Sequence, residues 1–429
     1  MLSSLAMRAS LLAPGAVEAL RLRDFRSLWL SNTLAQLARW LEMVVLGWLV
    51  LELTNSIWQV TLIGFYRYIP LLPLGIVWGI VSDRMDRRLL AFGAQALCLV
   101  TTVALTALLF TNSLQYWHLA LTSILLGVAF SVDMPVRRTL IIDVVGRERV
   151  IPATGLDTTT AMGTRVLGPL LAGSLIATFD VVGAYALLIL IYLGSAVSAL
   201  CIRTKASSSQ AGGGNVLGDL VAAFGYARRS QIIIAALVGS FFANLLAFPY
   251  MQLMSVFARD VLHVGPVEYG ILSAASGVGS FVGAILYVAR GHLYPAGLAF
   301  LLASMTIGLT LCGFAFSTVY LLSLAMLFLE GIGHAVYATL QGALILQRTT
   351  PEMRGRMMGL LTFAIGTWPV GMLLLGGVAE LYGAPFALGL SSFLFFVAIV
   401  FVAVALPEVR TMSLEVKVVA AKPAPRSQP

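Results

Sequence analysis

In the stretch EGIGHAVYATLQ, four polar side chains, Glu330, His334, Tyr337 and Gln341, are spaced i, i+4, i+7 and i+11. At about 100° per residue this spacing gathers them into one narrow stripe of a helix. A carboxyl and an imidazole one turn apart can pass a proton near neutral pH. A second set near the N-terminus, Asn32, Gln36, Arg39 and Glu42, has similar spacing. Arg67 and Arg165 stand alone in apolar runs. Such groups suit proton transfer and the holding of a charged solute. The sets that would serve other chemistry are missing from the sequence: Gly-x-Ser-x-Gly, His-Glu-x-x-His, a metal-spaced Cys/His cluster and a phosphate-binding Gly-rich loop ending in Lys-Ser/Thr. An enzyme is therefore not expected, and neither is a cofactor or a metal.

The elements that must carry these residues are membrane helices. The chain is 59% hydrophobic and 11% charged, far from the roughly one quarter charged of a soluble domain. Its apolar runs are continuous and about 20 residues long, enough to cross a bilayer as helices. Twelve spans are expected, over 27–52, 57–81, 89–111, 116–138, 158–178, 181–201, 231–256, 266–289, 293–313, 318–346, 355–378 and 384–406. No cleaved signal peptide is read in residues 1–20. Cys98, Cys201 and Cys312 fall in or beside spans, as inert thiols do. With the N-terminus in the cytoplasm, 23 of the 27 Lys and Arg lie on the cytoplasmic side or in the tails there. That bias fixes both termini inside and accounts for the net charge of +8 without nucleic acid.

A polar stretch, TKASSSQAGGGN, separates six spans from six. It divides the chain into an N-terminal segment (1–26), a six-helix bundle (27–202), a flexible cytoplasmic linker (203–230), a second six-helix bundle (231–406) and a tail (407–429). At an offset of 204 residues Gly75 falls on Gly279, Gly79 on Gly283, Gly155 on Gly359 and Gly173 on Gly377. Repeated halves of this kind place a solute site between them near mid-membrane. The expected fold is thus an all-α membrane protein of twelve helices in two pseudo-symmetric halves.

Between spans 2 and 3 stands GIVSDRMDRRLL, with Gly79, Asp83, Arg84, Asp86, Arg87 and Arg88. Arginines at a surface loop fix topology. Gly79 permits close helix approach, and Asp83 suits a neighbouring helix N-terminus. This segment resembles the loop signature Gly-x-x-x-Asp-Arg-x-Gly-Arg-Arg of the major facilitator superfamily, with Asp86 in place of glycine. GTRVLGPLLAG, carrying Gly163, Gly168, Pro169 and Gly173, is similar to a motif of that family's proton-driven exporters. Further stretches, FRSLWLSNTLAQLARWLEMVVLGWLVLELT and FPYMQLMSVFARDVLHVGPVEYGIL among them, resemble the family's branch of siderophore and macrolide exporters.

The resemblance implies a gate at the cytoplasmic end. Asp83 and Arg87 would act there with Asp133 at the end of span 4, supported by Gly79, Arg84, Arg88 and Arg137. It also places spans 1, 4, 7 and 10 around a central cavity. Asn32, Gln36, Arg39, Arg67, Arg165, Tyr337 and Gln341 are then expected to line it. Glu330 with His334, and secondarily Glu42, would couple protons. Arg39 and Glu42, three residues apart, would also be placed to neutralise each other. Gly163, Gly168, Pro169 and Gly173 would pack span 5 closely. The expected protein is a monomeric, proton-driven exporter of a siderophore, macrolide or similar amphiphile in the inner or plasma membrane. An importer or facilitator of the same fold, and a non-transporting receptor, are the alternatives.

Overall fold

A computed structural model describes residues 18–71, 74, 85–146, 148–204, 216–290 and 294–413. The chain is helical: α1 (Arg23–Thr54), α2 (Ile57–Tyr68), α3 (Arg87–Phe110), α4 (Tyr116–Val145), α5 (Val150–Leu200), α6 (Val216–Ala227), α7 (Gln231–Phe242), α8 (Pro266–Arg290), α9 (Ala296–Ala315), α10 (Tyr320–Gln347), α11 (Arg354–Ile365), α12 (Trp368–Tyr382) and α13 (Ala384–Ala405). Among the described residues ten helical runs are long and apolar enough to cross a membrane. One of them, α5, has 51 residues, which would span about 76 Å if straight. It breaks at Asp180 (φ 61°, ψ 178°) and returns as a second arm. The Asp180 carboxylate accepts the Val181 N–H at 2.6 Å and so caps that arm.

Two expected boundaries shift. Of the span expected over 57–81, α2 and residues to 71 are described, and most of the remainder lies outside the described residues. The span expected over 355–378 is two helices, α11 and α12, parted at Gly366 and Thr367, with Pro369 in the first turn of α12. Within the expected flexible linker, Val216–Ala227 is helical. Helix α7 continues irregularly through a π turn (Ala243–Ala247), a 3-10 turn holding Pro249 (Phe248–Leu253) and a second π turn (Phe257–Val261). A proline withdraws one donor from the helix ladder, and such breaks re-aim side chains.

Large apolar side chains point outward, among them Leu321, Leu381 and Phe401. Lipid removes the hydrophobic drive between helices, so small residues must let them pack closely. A Cβ on Gly270 of α8 would lie 3.0 Å from the Gly173 Cα of α5. A Cβ on Gly168 would meet the Cβ of Trp40, and the Pro169 carbonyl faces Gly270. Gly163 departs from the expected packing set: a Cβ there would meet nothing within 4 Å.

The N- and C-terminal halves of the chain meet chiefly at the end carrying Asn55 and Asp180, the turn end. Trp48 stacks on Tyr269 at 5.6 Å, and Gln252 Nε2 donates to the Val60 carbonyl at 2.8 Å. Two charges clamp helix ends across the same seam. The Glu380 carboxylate accepts the Trp58 N–H at 2.8 Å and the Ser56 hydroxyl at 3.2 Å, at the start of α2. Arg259 donates to the Leu51 carbonyl at 3.0 Å and to Asn55 at 2.9 Å, at the end of α1. Each sign matches the helix dipole it faces. Toward the opposite, terminal end the halves diverge. A Cβ on Gly155, Gly163, Gly342 or Gly359 would meet open space. Among the described residues the halves are therefore closed on each other at the turn end and parted at the terminal end.

Dipole clamps contribute about 0.3–1 kcal/mol each. Replacing both Glu380 and Arg259 by glutamine is expected to favour opening of the turn end by a factor of about 3–30. Thiol labelling of Thr61→Cys reads this out, since Thr61 is buried against Gly376. With Cys98, Cys201 and Cys312 replaced, the double variant should label faster by that factor. An unchanged rate would mean that the clamps do not hold the seam.

Candidate functional site

Two polar clusters lie inside the bundle. In the N-terminal half, Glu42 of α1 pairs with Arg67 of α2 at 2.9 Å, and the Tyr192 hydroxyl donates to the same carboxylate oxygen at 3.2 Å. This corrects the expected pairing of Glu42 with Arg39. Arg39 instead donates to Gln36 and lies over the Phe130 ring at 4.5 Å. Asn32 donates to Asp157 on α5. A neighbouring network joins four helices. Asp133 holds Arg137 through both carboxylate oxygens at 2.7 Å, Gln95 donates to Asp133 at 3.1 Å, and Arg137 donates to Ser31 at 3.1 Å. Ser195 closes it by donating to the Ser31 carbonyl at 2.8 Å. Between the clusters is a cavity of about 30 Å³, room for a water, edged by Arg39, Arg67, Gln95 and Asp133.

Asp133 is not at the helix end. Helix α4 continues to Val145, so Asp133 lies about 18 Å inside it and is buried. Arg87 accordingly meets Asp143 at 2.8 Å, one helix end from its own, rather than Asp133. Asp86, standing where the resembled signature has glycine, accepts the Arg88 N–H at 3.0 Å and caps α3. Arg88 closes back on Asp86 and donates to the Arg203 carbonyl at 3.0 Å. Gly79, Asp83 and Arg84 lie outside the described residues.

In the C-terminal half, Glu330 of α10 is 1% exposed. Its Oε2 accepts the Ser276 hydroxyl at 2.6 Å and the Tyr250 hydroxyl at 3.1 Å, while Oε1 has no hydrogen-bond partner among the described residues. The break in α7 brings Tyr250 here. Arg165 crosses from the N-terminal half. It donates to Ser276 Oγ and to His334 Nδ1, both at 3.1 Å, and stands 5.4 Å over the Trp40 ring. Arginine has no acceptor, so Nδ1 accepts and His334 is neutral with its proton on Nε2. Arg165, Ser276, Glu330 and His334 thus form one chain of hydrogen bonds across the seam.

Of the stripe on α10, His334 edges the open cleft, but Tyr337 and Gln341 do not. Tyr337 is 1% exposed and packs between Phe248 and Phe300, and Gln341 accepts the Ser240 hydroxyl at 3.0 Å. Tyr337 and Gln341 thus turn into their own half, through ring packing and one hydrogen bond. The open face holds His334, Ala335, Ala338 and Thr339, its centre about 100° around the helix from that of the stripe. In a chain without native cysteines, Ala338→Cys and Thr339→Cys should react with a water-soluble thiol reagent at least about tenfold faster than Tyr337→Cys or Leu340→Cys. Equal rates around the helix would contradict this orientation.

The profile of a family described as "Transmembrane secretion effector" matches residues 14–425. The chain belongs to this family, a branch of the major facilitator superfamily. Among similar proteins is the enterobactin exporter EntS of Citrobacter koseri, 28% identical over 362 residues, covering 80% of this chain and 84% of that protein. The staphyloferrin A transporter of Staphylococcus aureus is 19% identical over 360 residues, covering 82% and 89%. A crystal structure of a bacterial homologue of the iron transporter ferroportin, in an inward-facing state, matches with a TM-score of 0.70 at 15% identity, over 91% of this chain and 99% of that one. A POT family transporter matches with the same TM-score at 10% identity, over 90% and 96%. The protein is a multi-pass membrane transporter and not an enzyme.

Proposed function

We propose that this transporter exports an iron-chelating small molecule of the siderophore class across the inner membrane in exchange for protons. The one-sided distribution of Lys and Arg puts the terminal end in the cytoplasm, so the cleft opens toward the compartment where an exported solute is loaded. The observation that carries the reading is the chain from Arg165 through Ser276 to Glu330. A cation from one half and a buried carboxylate from the other are joined through Ser276 across the seam. Rocking of bundle 27–202 against bundle 231–406 must break that chain, and so exposes the carboxylate to each side in turn. The names of the similar exporters and of the staphyloferrin A transporter support the substrate class. Arg87 with Asp143, and Arg88 with Asp86, are assigned to the cytoplasmic rim of the gate, together with Gly79, Asp83 and Arg84.

Inverted membrane vesicles test this directly. With an acidic lumen, they are expected to accumulate enterobactin or staphyloferrin A, and a protonophore should abolish the accumulation. A macrolide is the comparison solute. Equilibration without accumulation would make the protein a facilitator, and accumulation from the opposite face would make it an importer.

A further inference from the structure

A recess of about 250 Å³ opens between the first arm of α5, α8 and α10. Its walls include Met162, Arg165, Gly277, Ser280, His334 and Ala338. Two polar groups there are underused. Ser280 is 6% exposed, and its hydroxyl has no hydrogen-bond partner among the described residues. Arg165 forms no ion pair among the described residues, and its two hydrogen bonds end on neutral atoms, Ser276 Oγ and His334 Nδ1. A guanidinium has five donors, so most of its capacity is left. Glu330, the carboxylate close by, is reached through Ser276 and spends its hydrogen bonds on hydroxyls. A cation that no carboxylate touches, beside a free hydroxyl and small apolar walls, is the complement of an acidic oxygen on a ring or a short chain.

We infer that this recess binds an anionic oxygen of the transported molecule, a carboxylate or a catecholate, with Arg165 as its cation and Ser280 as a hydrogen-bond donor. The inference rests on the transport reading above and narrows its substrate to acidic chelators. A cationic macrolide would meet repulsion from Arg165.

The test is equilibrium binding to the full chain in detergent, which needs no gradient and no direction of transport. The probe is radiolabelled 2,3-dihydroxybenzoate, displaced by its relatives. The acid is expected to bind at least about tenfold tighter than methyl 2,3-dimethoxybenzoate, which has the same ring and no acidic oxygen. Methyl 2,3-dihydroxybenzoate and 2,3-dimethoxybenzoate then tell the catechol oxygens from the carboxylate. Arg165→Gln should erase the preference, Arg165→Lys should keep part of it, and Ser280→Ala should weaken acid binding several-fold. Equal binding of the acid and the neutral ester by the unaltered chain overturns the proposal, as does a preference that survives in Arg165→Gln. Should Arg165→Gln not fold, the ligand series and Arg165→Lys decide. Acid binding through Arg165 without vesicle transport would uphold this site and defeat the export reading.

Discussion

Vesicles carrying Glu330→Gln are expected to bind substrate and exchange it, yet to lose all accumulation driven by a proton gradient. One proton exchanged per molecule supports a concentration ratio of about tenfold per pH unit, because one unit corresponds to about 1.4 kcal/mol. The variant should fall to a ratio of about one. The geometry says why glutamine is a fair replacement. Glu330 uses one oxygen for both hydroxyls, Ser276 at 2.6 Å and Tyr250 at 3.1 Å, and leaves the other unpartnered. A glutamine keeps the accepting oxygen there and puts an NH2 where a protonated acid would carry its OH. The hydrogen bonds persist and only the charge goes. Arg165 then faces the recess with no carboxylate behind Ser276, so an anionic substrate should bind at least as tightly as before. Counterflow exchange, which needs no net proton movement, should survive. Accumulation with unchanged pH dependence would remove Glu330 from the coupling mechanism and leave His334, its neighbour through Arg165, as the group to test.

The sequence made the membrane fold legible because apolar runs of span length have few other uses. It also exposed the deep charges at Arg39, Glu42, Arg67, Arg165 and Glu330, since an ionisable residue in lipid stands out by type alone. Partners were another matter. Spacing arithmetic sees only neighbours on the same helix, so Glu42 was matched with Arg39, while Arg67 reaches it from α2. Serines and tyrosines carried no signal either. A serine hydroxyl in a membrane helix often bonds its own backbone, as Ser304 does to the Phe300 carbonyl, and a tyrosine ring sits readily among apolar residues, so nothing marked Ser276, Ser280, Tyr192 or Tyr250 as different. Asp133 was placed too near the surface because hydropathy falls at Pro135, Arg137 and Arg138. The helix runs on since Asp133 and Arg137 neutralise each other one turn apart. Gln95, a lone amide in an apolar run, was the one missed residue of that network whose type could have flagged it.

The correction at Glu42 changes what its substitution should do. As a second proton site, Glu42→Gln would give a stable, uncoupled transporter resembling Glu330→Gln. The structure predicts the opposite phenotype. Glu42 and Arg67 are 1% and 8% exposed, and they meet at 2.9 Å with Tyr192 on the same oxygen. Removing one partner leaves a buried charge uncompensated, a loss of about 3–5 kcal/mol. Glu42→Gln strands the arginine, and Arg67→Gln strands the carboxylate. Both single variants should therefore give little monodisperse protein and a much lower unfolding temperature in detergent. Removing both charges costs far less, because the pair's attraction and its desolvation nearly offset each other. The double variant Glu42→Gln/Arg67→Gln is thus expected to regain most of the lost stability, and with it proton-driven accumulation close to that of the unaltered chain. Non-additivity of this sign is the signature of a structural pair. A stable Glu42→Gln that transports without coupling would contradict it, and so would a double variant no better than the worse single one. Two glutamates buried on helices of opposite halves should then part company: one dispensable when its arginine goes with it, the other irreplaceable because no fixed cation touches it.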